Sequence, residues 1–231
     1  MGRALTRRAA IGGAALWLSG CAGGVYASGR RAPPGRVLIM PAHITLGERR
    51  LGGEFRLRRD WSEAVRLSVL DAARKAVARR RRTPVMLTRE DDQDLAWALA
   101  RLHRPVAESL LGYDAALTGG SPVRSRVRPG LGGRGRSLAI RHEAPTGLFI
   151  SITGAYPEGW QYAAETILRE TLGVAYDAAP RRGIVSLVEL ETGAVFWSSA
   201  RRDRAIRDPA RAAGHVAALI AKAGFRRAVA A

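Results

Sequence analysis

Residues 36–231 predict one α/β domain: two or three layers, a mixed sheet, a late β-hairpin and a C-terminal helix. Three features lead there. Short apolar runs at Val37–Met40, Pro84–Leu87 and Gly147–Thr153 are separated by stretches with apolar residues at helical spacing. Thr192-Gly193 joins two further apolar runs, Ile184–Leu190 and Ala194–Ser199, as a tight turn would. Asp208-Pro209 opens a last amphipathic stretch in the manner of an N-cap followed by proline at the first helical position. About 190 residues are enough to bury a single core.

Taken in order, Val37-Leu38-Ile39-Met40 is closed by Pro41 and suits a buried strand. His43–Arg59 is polar, contains Gly47, Gly52 and Gly53, and reads as a loop. Asp60 and Glu63 have the spacing of a capping box. The helix that follows carries Val65, Val69, Ala72, Ala73, Ala76 and Val77 on one face. Arg79–Arg82 end it, where cations complement the helix dipole; a binding patch is the other reading of that run. Pro84–Leu87 is the next strand. The acids of Glu90–Asp94 suit the first turn of a second helix, and a metal site would need oxygen ligands from elsewhere. Leu95, Leu99, Leu102, Val106 and Leu110 form that helix's stripe, which Pro105 is expected to kink or split.

Gly119–Arg136 changes character. It holds five arginines (Arg124, Arg126, Arg128, Arg134 and Arg136), no acid, several glycines and two prolines, the composition of a mobile basic loop. Ser137–Glu143 suits a short helix, Gly147–Thr153 a strand, and Glu158–Leu172 favours a helix. In the hairpin both faces of the first strand are apolar, so Trp197 is expected in the core. The last helix buries Ala212, Val216, Leu219, Ile220 and Ala223, and Gly224 ends it. His215 reads as a surface or boundary residue of that helix.

The N-terminus sets the expected compartment. Residues 1–20 read as a signal peptide: Arg3, Arg7 and Arg8 precede the apolar stretch Ala9–Leu18, which is too short to span a bilayer. Leu18-Ser19-Gly20 leads to Cys21, the chain's one cysteine. That pattern predicts a lipoprotein with acyl chains at Cys21, a palmitate-type membrane anchor. Arg7-Arg8 also resembles a twin-arginine export signal, so the export route stays open. Ala22 rather than Asp favours the periplasmic face of the outer membrane. Residues 21–35, rich in Gly, Ala, Ser and Pro, read as a flexible tether with a reach of at most about 45 Å.

The formal net charge is +18, or +15 once Arg3, Arg7 and Arg8 are removed, and nearly all the cations are arginine. Such an excess draws a domain towards anionic lipid, lipopolysaccharide or acidic polymer. An exported chain without an aromatic-interleaved basic motif gives no reason to expect nucleic acid. His43, His103, His142 and His215 show no metal-ligand spacing. There is no nucleophile elbow and no P-loop, and Gly130–Gly135 does not follow a strand as a dinucleotide fingerprint would. No catalytic residue, cofactor or metal is expected.

The segments VLIMPAHITLGE, DWSEAV and VSLVELETGAVFWSS resemble a family of uncharacterised proteobacterial lipoproteins. Glu189 stands where that family usually has Asp. The family is similar in turn to the α/β domain of the curli-secretion lipoprotein and to the amino-terminal domain of the Tol-system propeller protein. The resemblance implies a non-catalytic interaction or assembly module of the envelope, with a protein partner or self-assembly. The alternative is a binder of anionic polymer or lipid through Arg124, Arg126, Arg128, Arg134 and Arg136.

Overall fold

The computed structural model describes residues 25–28, 32–50, 54–87, 90–117, 130–157, 171, 181–203, 205–223 and 225. Eight strands form one mixed sheet: β1 (Val25–Ala27), β2 (Arg36–Ile39), β3 (His43–Arg49), β4 (Phe55–Leu57), β5 (Thr83–Met86), β6 (Thr146–Pro157), β7 (Arg182–Glu189) and β8 (Val195–Arg202). Among the described residues they are accompanied by the α-helices α1 (Arg59–Arg79), α2 (Gln93–Leu117), α3 (Arg136–Arg141) and α4 (Pro209–Lys222).

The long strand β6 organises the sheet. One edge pairs antiparallel with β7 from Thr146 to Thr153. The other edge takes β2 and then β3, both parallel, so that Val37–Ile39 lie beside Thr146–Leu148 and His43–Arg49 beside Ser151–Pro157. Pro41 falls in the gap between β2 and β3, where a ladder donor would be lost in any case. β5 extends the sheet beyond β2, and β4 beyond β3. On the far side the order continues β7-β8-β1.

Alternation along the strands makes three layers. Leu148, Ile150 and Ile152 of β6 and Val185 and Leu187 of β7 pack with α1 and α4. Phe149 and Val188 face the other way, onto Ala96, Leu99 and Leu110 of α2 and Leu138 of α3. In the hairpin, Leu187 is opposite Trp197 and Val188 opposite Val195, which leaves Phe196 as the extra residue of a β-bulge. Phe196 and Trp197 therefore both enter the α1/α4 side of the core, and Trp197 is 5% exposed. Gly193 turns the hairpin at φ +74.

Several expectations are corrected. His43–Arg49 and the residues before α1 are strands, not a loop. Ile44 and Leu46 alternate into the core. Gly47 is a site of close approach: a Cβ there would stand 2.4 Å from the Arg56 carbonyl oxygen. The capping box is absent. Arg58, not Asp60, precedes α1, and it donates to Asp60 and to Glu48. Ser62 supplies the local bonding instead, accepting from the Leu46 amide and donating to the Arg58 carbonyl. Pro105 does not split α2; it lies on the exposed side, where the Arg101 carbonyl it frees can meet water. Leu102 is exposed rather than part of the buried stripe.

Arg79–Arg82 is not one surface run. Arg82 is buried, donates to the Pro33 carbonyl and stacks over Phe225. His215 is buried too, because Gly183 leaves room for its ring: a Cβ at 183 would come within 2.8 Å of Nε2. Part of the expected tether is structured, since Val25–Ala27 pairs with Trp197–Ser199 and Ala32 is fully buried beside Phe225. The end of the expected mobile loop is ordered as well. Gly130 bridges to Ala194, Leu131 is buried, and a 3₁₀ turn at Gly133–Gly135 leads into α3. The signal peptide, most of Glu158–Leu172, and Gly224 lie outside the described residues.

Candidate functional site

Buried polar groups come first, because a catalytic apparatus would use them. On the α2 face, His103 Nε2 lies 2.7 Å from Ser186 Oγ, which donates to Ser198 Oγ at 2.8 Å. With the serine proton directed at Ser198, Nε2 is the donor to Ser186. That is the wrong tautomer for drawing a proton from the serine. All three side chains are essentially inaccessible. Burial pushes the His103 pKa down to about 3, so the ring is neutral and stacks on Phe149. The chain Ser198–Ser186–His103 links buried polar side chains under a helix.

The acidic run Glu90–Asp94 is likewise structural. Asp92 is fully buried and holds Arg141 at 2.8 Å and His142 at 2.9 Å. It ties the start of α2 to α3. Among the described residues no group of three His, Cys, Asp or Glu side chains converges as a metal site would require.

Two shallow clefts lie among the described residues. One, of about 390 Å³, is lined by His43, Arg66, Asp94, Trp97, Ala98 and Arg101. The start of β3 supplies its floor, α1 supplies Arg66, and the first turns of α2 supply the rest. Arg66 is fixed from three sides: it pairs with Glu63, donates weakly to the Ala42 carbonyl at 3.4 Å, and lies over the Trp97 ring at 5.4 Å. Arg101 is exposed and has no carboxylate partner among the described residues. Burial, and then the fields of Arg104, Arg101 and Arg66, hold the His43 pKa below its ordinary value. The floor is thus electropositive despite Asp94, and a half-buried indole stands beside it.

The second cleft, of about 250 Å³, is lined by Arg136, Ala139, Ile140, Glu143, Pro145, Glu189 and Glu191. It contains the described end of the basic loop. Arg134 and Arg136 are both exposed, but Arg136 lies 3.7 Å from Glu191, and three acids share the wall. This surface is mixed in sign. Arg124, Arg126, Arg128 and Cys21 lie outside the described residues. The structure brings Arg134 and Arg136 to the turn end of the hairpin and gives the other three no position.

No family model matches the chain, and no curated protein matches its sequence. Two solved structures of PelC dodecamers from Paraburkholderia phytofirmans are similar to it. They are 13% and 12% identical, cover 88% of this chain and 99% of the other, and have TM-scores of 0.38 and 0.41. At those values the likeness carries no argument about function. The lipoprotein family expected from the hairpin motif finds no matching model, while the mixed α/β fold it implied is the one observed.

The His43–Arg66–Trp97–Arg101 cleft leaves no single motif in the sequence, because its members come from three elements. One signal was present: Trp97 and Arg101 are four apart on a helix and so share a face.

Proposed function

We propose that this chain is a non-catalytic envelope lipoprotein, anchored at Cys21, whose α/β domain is an interaction module for acidic envelope polymer. The observation that carries the reading is the cleft beside Trp97, which Arg66 and Arg101 line next to a half-buried aromatic ring. An acidic sugar fits that chemistry. Its carboxylate or phosphate meets arginine donors, and its ring lies against indole. The surplus of arginine over the whole chain adds a long-range attraction to such polymers.

The test uses the full chain with a polyuronate as probe and neutral dextran as control. Arg101→Ser and Trp97→Ala are each expected to weaken polyuronate binding by about tenfold, with thermal stability nearly unchanged. Binding should also fall as salt rises. Equal binding to dextran, or variants that bind like the parent, overturns the proposal. Labelled fatty acid entering the parent but not Cys21→Ser is the expected result for the anchor.

Self-assembly is favoured by a different observation. Among the described residues the outer strand β4 pairs with β3 alone and exposes Phe55 and Leu57, 44% and 47% accessible. An apolar outer edge of this kind suits a further strand. Light scattering of the parent against Phe55→Lys tests it; a lower mass for the variant is expected, and equal masses refute it.

A further inference from the structure

The direction of β1 fixes where the chain leaves the sheet. Val25 pairs with Ser199 and Ala27 with Trp197, so β1 runs antiparallel to β8 and its N-terminal end points to Arg201 and Arg202. Those residues close the open end of the hairpin, where Arg202 is opposite Arg182 and Arg201 opposite Gly183. The opposite end of the same ladder holds the turn at Gly193 and, bridged to it, Gly130. Cys21 precedes Val25 by four residues, which span at most about 14 Å. An anchor at Cys21 therefore lies within reach of the arginine rim. The eight-residue strand β8, about 27 Å long, separates that rim from the turn that carries Arg134 and Arg136.

The rim brings like charges together. Arg182 and Arg202 face each other directly across the strands, an arrangement that destabilises a sheet. On Arg182 the attraction of Glu108, itself engaged by Arg104, outweighs the repulsion of Arg202, so the charge left at the rim is that of Arg201 and Arg202. Arg201 and Arg202 are both exposed and have no ion-pair partner among the described residues. Arg181, the next residue along, donates to the Ala155 carbonyl. Asp203 is a further acid at this end, and it faces His215. A row of like charges beside the chain's exit from the sheet gains from an anionic partner what it loses within the protein.

We propose that the open end of the β7–β8 hairpin, with Arg201, Arg202 and Arg182, is the face that docks on an anionic lipid surface once Cys21 is acylated. The inference rests on the lipoprotein reading above. It gives the domain an orientation, with the arginine rim against the headgroups and the Gly193 turn pointing away. Acyl chains and basic residues then act as two signals for one membrane.

Cys21 is the only cysteine, so a cysteine introduced elsewhere in the acylated full chain is labelled alone. Val25→Cys marks the rim and Thr192→Cys the turn; both positions are exposed. The labelled proteins are placed in vesicles of phosphatidylglycerol and phosphatidylethanolamine that carry a headgroup quencher. Quenching is expected to be strong at the rim and weak at the turn. Replacing Arg201 and Arg202 by Ser should lower the ratio of docked to undocked protein by about fivefold each, and about 25-fold together. High salt should do the same. Equal quenching at both positions, or no effect of the double substitution, overturns the docking face even if the N-terminal peptide proves acylated. An N-terminal peptide of unmodified mass removes the anchor and the docking face with it.

Discussion

At position 193 a methyl group has no space: with φ at +74, a Cβ would stand 2.3 Å from the Gly132 carbonyl oxygen and 2.4 Å from its amide nitrogen. The obstruction is backbone, so it cannot swing aside. Gly193→Val is expected to destabilise the domain by at least about 1–3 kcal/mol, read as a lower denaturant midpoint at unchanged slope. Trp197→Ala should cost about 3–5 kcal/mol, since the ring is buried between the sheet and its helices. The histidines give a pH signature. In the unfolded chain His103 protonates near pH 6.5, whereas in the folded domain burial holds it neutral to about pH 3. Below pH 6.5 the unfolded state thus binds a proton that the folded state refuses, and stability falls until about pH 3. His43 and His215 are shifted in the same direction, chiefly by burial, and add to the slope. Melting temperature followed from pH 7 to pH 4 should drop, and His103→Gln should flatten the drop. An unchanged slope would show that His103 is already charged in the folded state.

Elements are joined here by a few polar ties whose strength differs with burial. Asp92 has no exposure and holds both Arg141 and His142, so Asp92→Ala leaves the buried His142 nitrogen without its acceptor and removes the Arg141 pair, and is expected to cost about 2–3 kcal/mol. Asp208 accepts from the Arg211 amide at the surface, and Asp208→Ala should cost only about 1 kcal/mol. Chemical denaturation of the two variants gives the comparison, and equal losses would contradict the buried tie. The cap at Asp208-Pro209 was legible in the sequence because it is local: four residues contain both the signal and the bond. The same holds for the hairpin and for the stripe of α1. β3 and β4 were not legible. Gly47 reads as a breaker until Phe55 and Arg56 are placed against it, and a strand that rests on a partner 100 residues away leaves little local trace. Asp92 looked like one more acid of a helix start, and only α3 shows it to be a tie. The His43–Arg66–Trp97–Arg101 cleft was illegible for the same reason, being assembled by β3, α1 and α2 together.

On the scale of the whole molecule, the question is where the folded unit begins. Composition places it at Arg36, because Ala22–Gly35 has little to bury. The structure places Val25 already in the sheet, and the reason is backbone rather than side chain. Without β1, the outer edge of β8 would leave its amides and carbonyls unpaired beside Trp197. With it, Ser28 also donates to the Phe196 carbonyl from both its amide, at 3.0 Å, and its hydroxyl, at 3.2 Å. Tyr26 packs on the α2 side of the core, and Arg82 reaches the Pro33 carbonyl from the far edge of the sheet. Such a clasp has a composition like that of a linker, since its few residues work through main-chain bonds. A chain beginning at Arg36 is therefore expected to be less stable than one beginning at Val25 by about 2–4 kcal/mol, from the lost ladder and the exposed Tyr26 contact. For a domain of this size that corresponds to a melting temperature lower by about 4–16 °C. The shorter chain should also exchange the β8 amides faster, the turn amides around Gly193 being less affected, because the loss is confined to one edge. Matching melting temperatures for the two chains would mean that residues 25–35 contribute nothing to the fold, and the anchor would then be free to lie far from the arginine rim.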